Sequence, residues 1–202
     1  MRRFLGLMGL LLLYSLPAHA QITPKYEIGG GFDFTSFGPQ ATTTSSTPRL
    51  NSFGWNANGA YNLLRIVGVA VDVSGVYNVR KSTNANVGNS STQIYPFLAG
   101  PRFYPLGHRR LTLFGQVLFG QGYIRENVPT VIPFSAGAVT STGYAWEAGG
   151  GVDYSLGDHW AFRMLEVSFL NTHFFGNGQS SERATIGVVY RFGVVGARRR
   201  KK

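Results

Sequence analysis

The sequence predicts an all-β fold, an eight-stranded antiparallel up-and-down transmembrane β-barrel. Three observations lead to this prediction. Eight segments alternate apolar and polar residues, the gaps between them are alternately long and short, and aromatic residues collect at both ends of the segments. Short turns at one end of a barrel and longer loops at the other are typical of outer-membrane proteins. The long gaps, rich in Ser, Thr, Asn and Gly, are residues 38–51, 79–91, 125–143 and 171–182.

The eight strands follow from the alternation. In the first, Ile28 and Phe32 lie on one face, and Glu27 and Asp33 lie on the other. A period of two residues predicts a strand with one apolar and one polar face. Each segment has about the length that a tilted strand needs to cross the hydrocarbon core of a bilayer. The predicted strands are residues 26–37, 52–61, 66–78, 92–103, 111–124, 144–154, 160–170 and 183–192.

Two of these strands are irregular. The fourth contains Pro96 and Pro101, which cannot donate a hydrogen bond to a neighbouring strand, so we expect a bulge or a locally unpaired position there. In the seventh, Arg163 and Glu166 are three residues apart and cannot share a face of a regular strand. Both can point inward if a β-bulge lies near Met164 and Leu165, and we predict that bulge.

Aromatic residues mark the two rims of the predicted barrel. Amphipathic rings at both edges of an apolar band form the girdles of a membrane barrel. A soluble lipocalin-like carrier would show the same alternation, but the charges on its inner face would each need a partner in an apolar cavity. The predicted girdle residues are Tyr26, Phe53, Tyr61, Tyr77, Tyr95, Phe103, Tyr123, Tyr144, Tyr154, Trp160 and Tyr190.

The polar face predicts a charged interior. Eight strands enclose a space just wide enough for side chains to fill. We interpret the inward charges as a structural network in which buried ions compensate one another. The alternative is a gated, narrow ion path along the same residues. The predicted network consists of Glu27, Asp33, Asp72, Arg102, Glu147, Asp153, Arg163, Glu166, Arg183 and Arg191.

The two ends of the chain differ from the body in composition. Arg2 and Arg3, an apolar run and the small residues around His19 predict a secretory signal peptide over residues 1–20. Residues 21–193 form the predicted barrel, and residues 194–202 form a basic tail. The formal net charge of +10 falls to +3 without Arg2, Arg3 and the five basic residues at 198–202, so the body gives no support for nucleic-acid binding. The chain contains no cysteine.

Catalysis has little support in the sequence, and we predict no catalytic, cofactor-binding or metal-binding residue. His173 is the histidine nearest the rim that carries the long loops, where small outer-membrane lipid-modifying enzymes work. Ser168 and Glu166 are close to it in sequence, but nothing fixes a catalytic triad by geometry. A lipid-modifying enzyme therefore remains an alternative to a structural or surface-interaction role.

Three motifs resemble the OmpA-like transmembrane domain, a family of small outer-membrane barrels. They are Tyr-Glu-Ile-Gly-Gly-Gly-Phe-Asp-Phe at 26–34, Gly-Gly-Gly-Val-Asp-Tyr at 149–154 followed by Asp-His-Trp at 158–160, and Val-Tyr-Arg-Phe-Gly at 189–193. The resemblance covers residues 26–192. It implies a location in the outer membrane. The alternation of long and short gaps, with an even number of strands, predicts that the long loops lie outside the cell and both termini in the periplasm.

The same resemblance implies partners and an assembly signal. The last strand of such barrels usually ends in an aromatic residue that the barrel assembly machinery recognises, and Phe192, with Tyr190 two positions earlier, matches it. The other implied partners are membrane lipid and lipopolysaccharide. We expect a monomer whose function is carried by its extracellular loops.

Overall fold

The computed structural model describes residues 23–37, 50–80, 90–106, 110–128, 137–174 and 177–195. The predicted signal peptide, the central parts of the four predicted long loops and the tail from residue 196 lie outside the described residues. Within the described ranges, no helix has both the length and the apolar character needed to cross a membrane.

Eight strands form one closed sheet. Each strand pairs antiparallel with the next, and β1 also pairs with β8, which closes the barrel. The predicted fold class is therefore confirmed. The strands are β1 (Tyr26–Phe37), β2 (Leu50–Asn62), β3 (Val67–Arg80), β4 (Ser90–Phe103), β5 (Leu111–Val128), β6 (Gly137–Ser155), β7 (Trp160–Phe174) and β8 (Asn177–Phe192).

The two ends of the barrel differ in their connections. At one end, here named the turn end, residues 63–66, 104–110 and 156–159 join successive strands, and the chain enters β1 and leaves β8. Backbone hydrogen bonds from Leu63 and Leu64 to the carbonyl of Val67 tighten the first of these turns. At the opposite end, named the loop end, the connections are residues 38–49, 81–89, 129–136 and 175–176.

Two predicted long loops are wrong in extent. Most of residues 171–182 belongs to β7 and β8, and much of 125–143 belongs to β5 and β6. The apolar alternation that predicts strands ends near residue 124 in β5 and residue 170 in β7, but the backbone ladder continues beyond these points among mainly polar residues. The Asn171 amide, for example, donates across the β7–β8 pair to the Ser180 hydroxyl at 2.9 Å.

The irregular strands behave largely as expected. The register of β7 shifts between Arg163 and Glu166 against β8, and between Val152 and Asp153 of β6, which confirms the bulge at Met164 and Leu165. The pairing of β4 is interrupted at Pro96 on the β3 side and at Pro101 on the β5 side. The register is the same before and after both gaps, so these prolines leave unpaired positions and no bulge.

Alternation places apolar side chains outside and polar side chains inside. Phe32 of β1 is 77% exposed on the outer wall, whereas its neighbour Asp33 is 2% exposed inside the barrel. Of the predicted girdle residues, ten are exposed and Tyr95 is half-buried, with its ring centroid 6.0 Å from that of Tyr77. At the turn end, the ring of Tyr26 packs between those of Tyr61 and Phe192.

Candidate functional site

All ten residues of the predicted network lie in the lumen, and each is at most 5% exposed. Their contacts divide them into two groups. The Arg183 cluster consists of Asp33, Asp72, Glu147 and Arg183. The turn-end cluster consists of Glu27, Arg102, Asp153, Arg163, Glu166 and Arg191.

In the Arg183 cluster, one guanidinium contacts three carboxylates from three other strands. Arg183 Nη2 lies 2.8 Å from both carboxylate oxygens of Glu147 on β6. Arg183 Nη1 lies 3.3 Å from Asp72 Oδ1 on β3 and 3.6 Å from Asp33 Oδ2 on β1. The cluster therefore holds one cationic side chain against three carboxyl groups.

Neutral side chains complete the surroundings of this cluster. Arg183 Nη1 donates to the Ser74 hydroxyl at 2.8 Å, and Arg183 Nε donates to the Ser168 hydroxyl at 3.3 Å. The Thr185 hydroxyl donates to Asp33 Oδ1 at 2.5 Å, and the Asn56 amide donates to Asp72 Oδ2. The Thr185 and Asn56 donors stabilise the carboxylates of Asp33 and Asp72, for which Arg183 is the only cation in the cluster.

The turn-end cluster is balanced, with three arginines and three carboxylates. Arg163 Nε lies 2.9 Å from Asp153 Oδ1, and Arg163 Nη1 lies 2.8 Å from Glu166 Oε2. Asp153 also accepts from Arg191 Nη2 at 2.9 Å. The bulge in β7 is what allows Arg163 and Glu166 to face the lumen together, because it shifts the alternation by one residue.

Arg102 enters the same cluster from β4. Its Nε and Nη2 donate to Gln116 Oε1 at 2.8 and 2.6 Å. Gln116 Nε2 in turn donates to Glu166 Oε1 at 2.8 Å and lies 3.5 Å from Glu147 Oε1, so this glutamine links the two clusters. The Phe114 ring lies against the guanidinium carbons of Arg102 at 4.7 Å and Arg163 at 4.5 Å, which are cation–π distances.

Tyr104 belongs to the site although the sequence pattern does not predict it. It follows β4 directly, is fully buried, and donates from its hydroxyl to Glu27 Oε2 at 3.2 Å. Burial, together with the negative charge of Glu27, raises the pKa of the Tyr104 hydroxyl above its usual value, so this group stays a hydrogen-bond donor. Alternation within strands could not identify it, because a residue in a turn has no face assigned by period.

Apolar side chains fill the lumen towards the loop end, and the sequence analysis did not include them. Val76, Ile94, Ile124 and Phe174 form one buried cluster in the loop-end halves of their strands. Val76, Ile94 and Phe174 share the parity of an inward charge on their own strands, and Ile124 shares that of the buried Gln116 on β5, so the alternation does contain the signal. A second buried cluster lines the wall: Ala60, Ala70, Leu98, Leu118, Ala145 and Leu170.

The candidate catalytic residues are on opposite sides of the barrel wall. Ser168 points inward and accepts a hydrogen bond from Arg183, and Glu166 is paired with Arg163. His173 has the opposite parity, and its ring stacks on Tyr144 with centroids 4.1 Å apart. The described ranges contain no group of three or more His, Cys, Asp or Glu residues that could hold a metal ion.

Comparison with known proteins identifies the family. Residues 7–192 match the family described as outer membrane protein beta-barrel domain. The chain belongs to this family. It is a small outer-membrane β-barrel with a buried polar interior, and the predicted resemblance to OmpA-like barrels is confirmed. None of the curated proteins compared with the sequence matches it.

Solved structures share the fold at low sequence identity. Ail of Yersinia pestis, in complex with the heparin analogue sucrose octasulfate, is 16% identical, with a TM-score of 0.60 over 85% of this chain and 100% of Ail. Neisserial surface protein A is 13% identical, with a TM-score of 0.53 over 85% of this chain and all of that protein. OprG of Pseudomonas aeruginosa is 16% identical, with a TM-score of 0.54 over 86% and 98% of the two chains.

Proposed function

We propose that this protein is a closed outer-membrane scaffold whose loop-end segments contact partners at the cell surface. One observation supports the proposal above the others, which is that side chains fill the lumen. They extend from Tyr104 near the turn end, through both charged clusters, to Phe174 near the loop end. Strands that enclose a filled interior provide a rigid frame, and the groups available to partners then lie at the ends of the barrel.

Planar-bilayer recordings test the closed interior. We expect the refolded protein to give no sustained conductance, because two charged clusters and an apolar layer lie in series along the lumen. Phe174→Ala removes part of the apolar layer alone and should stay closed. A reproducible conductance of the unmodified protein that Arg102→Ala or Asp72→Ala abolishes would instead favour the narrow-channel alternative.

The orientation we propose places the loop end outside the cell and the turn end in the periplasm. The absence of cysteine allows single-cysteine labelling, and Gly137 and Gly157 are matched sites at opposite ends, each with open space where a Cβ would lie. A membrane-impermeant maleimide should label Gly137→Cys on intact cells and Gly157→Cys only after the outer membrane is permeabilised. The reverse pattern would contradict the orientation.

A sulfated glycan is the surface ligand we propose to test first. The loop-end segments contain the basic residues Arg49, Arg80, Lys81 and Arg125, and Ail was crystallised with a heparin analogue. We expect salt-sensitive retention of the refolded protein on heparin, because exposed charge pairs weaken as ionic strength rises. The Arg80→Ala/Lys81→Ala variant should elute at lower salt, whereas unchanged retention would remove these residues from the site.

The other partners that we propose are those of a monomeric barrel in an asymmetric membrane. The girdle at the loop end would contact lipopolysaccharide, and Tyr190 with Phe192 would present the signal for the barrel assembly machinery. Phe192 stacks on Tyr26 with centroids 5.1 Å apart, so its ring lies on the outer wall at the β1–β8 closure. Phe192→Ala should lower the yield of folded protein in the outer membrane more than it lowers stability after refolding in vitro.

The geometry favours a role without catalysis. Ser168 faces the lumen and His173 faces away from it, so they cannot exchange a proton across the wall. Incubation of the refolded protein with lipopolysaccharide or phospholipid should release no acyl chain detectable by mass spectrometry. A release that His173→Ala abolishes would establish the lipid-modifying alternative.

A further inference from the structure

The basic residues outside the lumen are unequally divided between the two ends. The loop-end segments contain four basic and two acidic residues: Arg49, Arg80, Lys81 and Arg125 against Glu126 and Glu182. The turn-end segments and the two flanks of the barrel contain nine basic residues and one acidic residue: Lys25, Arg65, Arg109, Arg110, Arg198, Arg199, Arg200, Lys201 and Lys202 against Asp158. Among the described residues, Lys25, Arg65 and Arg110 against Asp158 leave the turn end with a net positive charge, whereas basic and acidic residues balance at the loop end.

Exposed apolar side chains accompany this charge. In the β2–β3 turn, Leu63, Leu64 and Ile66 are all exposed and surround the exposed Arg65. Leu156, in the β6–β7 turn, is 65% exposed. Single exposed leucines are common on protein surfaces, but three exposed apolar side chains in one short turn indicate a contact with something other than water. A turn that lies among lipid headgroups can place such side chains in the acyl boundary.

An aromatic belt lies directly beside these turns. The rings of Tyr61, Tyr26, Phe192, Tyr190 and Trp160 follow one another across four strands, with centroid separations between 4.9 and 5.8 Å. Lys25 Nζ lies 5.6 Å from the ring centroids of both Tyr26 and Tyr61. Because aromatic girdles lie at the level of the headgroups, the ammonium group is held where lipid phosphates would be.

We propose that the turn end binds anionic phospholipid headgroups. Lys25, Arg65 and Arg110 would contact the phosphates, and the exposed leucines of the β2–β3 turn would anchor the same lipids by their acyl chains. Basic side chains next to a membrane surface attract anionic lipid while their aliphatic stems stay in the apolar layer. The proposal is independent of the loop-end contacts proposed above, so either can fail without the other.

Lipid titration followed by native mass spectrometry tests the proposal. The refolded protein in detergent is titrated with phosphatidylglycerol or with phosphatidylcholine of identical acyl chains, and heat-modifiable gel migration verifies that each variant is folded. We expect tighter binding of phosphatidylglycerol, with a preference that shrinks as ionic strength rises. Each neutralised contact should lower its affinity about fivefold, so Lys25→Gln/Arg65→Gln/Arg110→Gln should lose the preference.

Arg125→Gln is the matched control, because Arg125 is an exposed arginine at the loop end. It should keep the preference for phosphatidylglycerol. Leu63→Ser/Leu64→Ser should weaken the binding of both lipids and leave the preference intact. Water-soluble glycerol phosphate, which has the charge without acyl chains, should not displace bound lipid if the leucines contribute.

The proposal would be overturned by an unmodified protein without a lipid preference, by a triple variant that keeps it, or by a loss in Arg125→Gln as large as that in the triple variant. A dimer that forms without lipid and that the triple variant abolishes would assign this surface to a second copy of the chain. Deletion of residues 198–202 measures how much the tail contributes to the lipid preference. Loss of the whole preference on that deletion alone would also exclude Lys25, Arg65 and Arg110 as the contacts.

Discussion

The two charged clusters in the lumen compensate their buried charges in different ways. The turn-end cluster matches three arginines with three carboxylates, and most of its charged groups have ionic partners at close range. The Arg183 cluster has one arginine for three carboxylates and relies on hydroxyl and amide donors for the rest. The lumen holds six acidic and four basic groups in total. The charges balance in the turn-end cluster, whereas the Arg183 cluster has an excess of negative charge.

This difference predicts that the cost of a substitution depends on the local charge count and not on burial alone. All ten residues are buried to a similar degree. Removal of one partner from a buried ion pair leaves an uncompensated charge and is costly, whereas removal of a surplus charge reduces repulsion. Four substitutions separate these cases, from the largest expected effect to the smallest.

Arg183→Ala should have the largest effect. It leaves Asp33, Asp72 and Glu147 without their shared cation and should lower the free energy of unfolding by about 3–5 kcal/mol. Guanidinium unfolding of the protein refolded in detergent, followed by tryptophan fluorescence, measures the change. Arg125→Ala, at an exposed position, serves as the control and should change stability by less than about 0.5 kcal/mol.

Asp153→Asn should come next, because Asp153 accepts from both Arg163 and Arg191 in the balanced cluster. The loss of one carboxylate charge leaves three arginines for two carboxylates. We expect a destabilisation of about 2–3 kcal/mol in the same unfolding assay, as for hydrogen bonds to charged groups. A change smaller than that of Glu147→Gln would show that the charge count does not govern stability here.

Tyr104→Phe should have a smaller effect. It removes the hydroxyl that donates to Glu27 at 3.2 Å and keeps the ring that fills the turn end of the lumen. The expected loss is about 1.5–2 kcal/mol, at the low end for a hydrogen bond to a charged group, because the distance between the two oxygens is long. Tyr104→Ala removes the ring as well, and it should lower stability further by about 2–4 kcal/mol, as deletion of a large buried side chain does. Equal effects of both variants would mean that the ring contributes nothing.

Glu147→Gln should have the smallest effect of the four. The amide keeps an oxygen that can accept from Arg183, and the substitution removes one of the surplus negative charges. We expect stability to change by less than about 1 kcal/mol, since the lost charge-assisted hydrogen bond and the relieved repulsion oppose each other. Asp33→Asn should behave alike in the same assay. A loss from both variants as large as that from Asp153→Asn would contradict the division into two clusters.

The sequence was sufficient for the fold and for the inward direction of each charge, because both depend on a local period of two residues and, for Arg163 and Glu166, on the bulge that their spacing predicts. It was not sufficient to predict which of the inward charges contact one another. Arg183 and Asp72 are 111 positions apart in the chain, and whether they meet depends on the relative heights of β8 and β3 around the closed barrel. The alternation of residues within a strand does not specify the heights of the strands relative to one another.

Two other features could not be predicted from the sequence, for different physical reasons. Tyr104 is in a turn, where no period assigns a face, so its burial depends on the path of the chain after β4. The extension of β7 and β8 beyond the apolar band, by contrast, depends on backbone pairing among residues such as Asn171 and Ser180. Polar residues pair well in a ladder outside the hydrocarbon layer, and composition alone makes such a segment resemble a loop.

The bulge in β7 also determines where one residue can be deleted without moving side chains to the other face of the strand. Met164 and Leu165 both point outward, and the residues that flank them pair in register with β6 once one of the two is set aside. A single-codon deletion at Met164 would restore an unbroken alternation and leave Arg163 and Glu166 facing the lumen. A homologue without the bulge should therefore align with this chain through a one-residue gap at this point, because an alignment without the gap would exchange the inner and outer faces of half a strand.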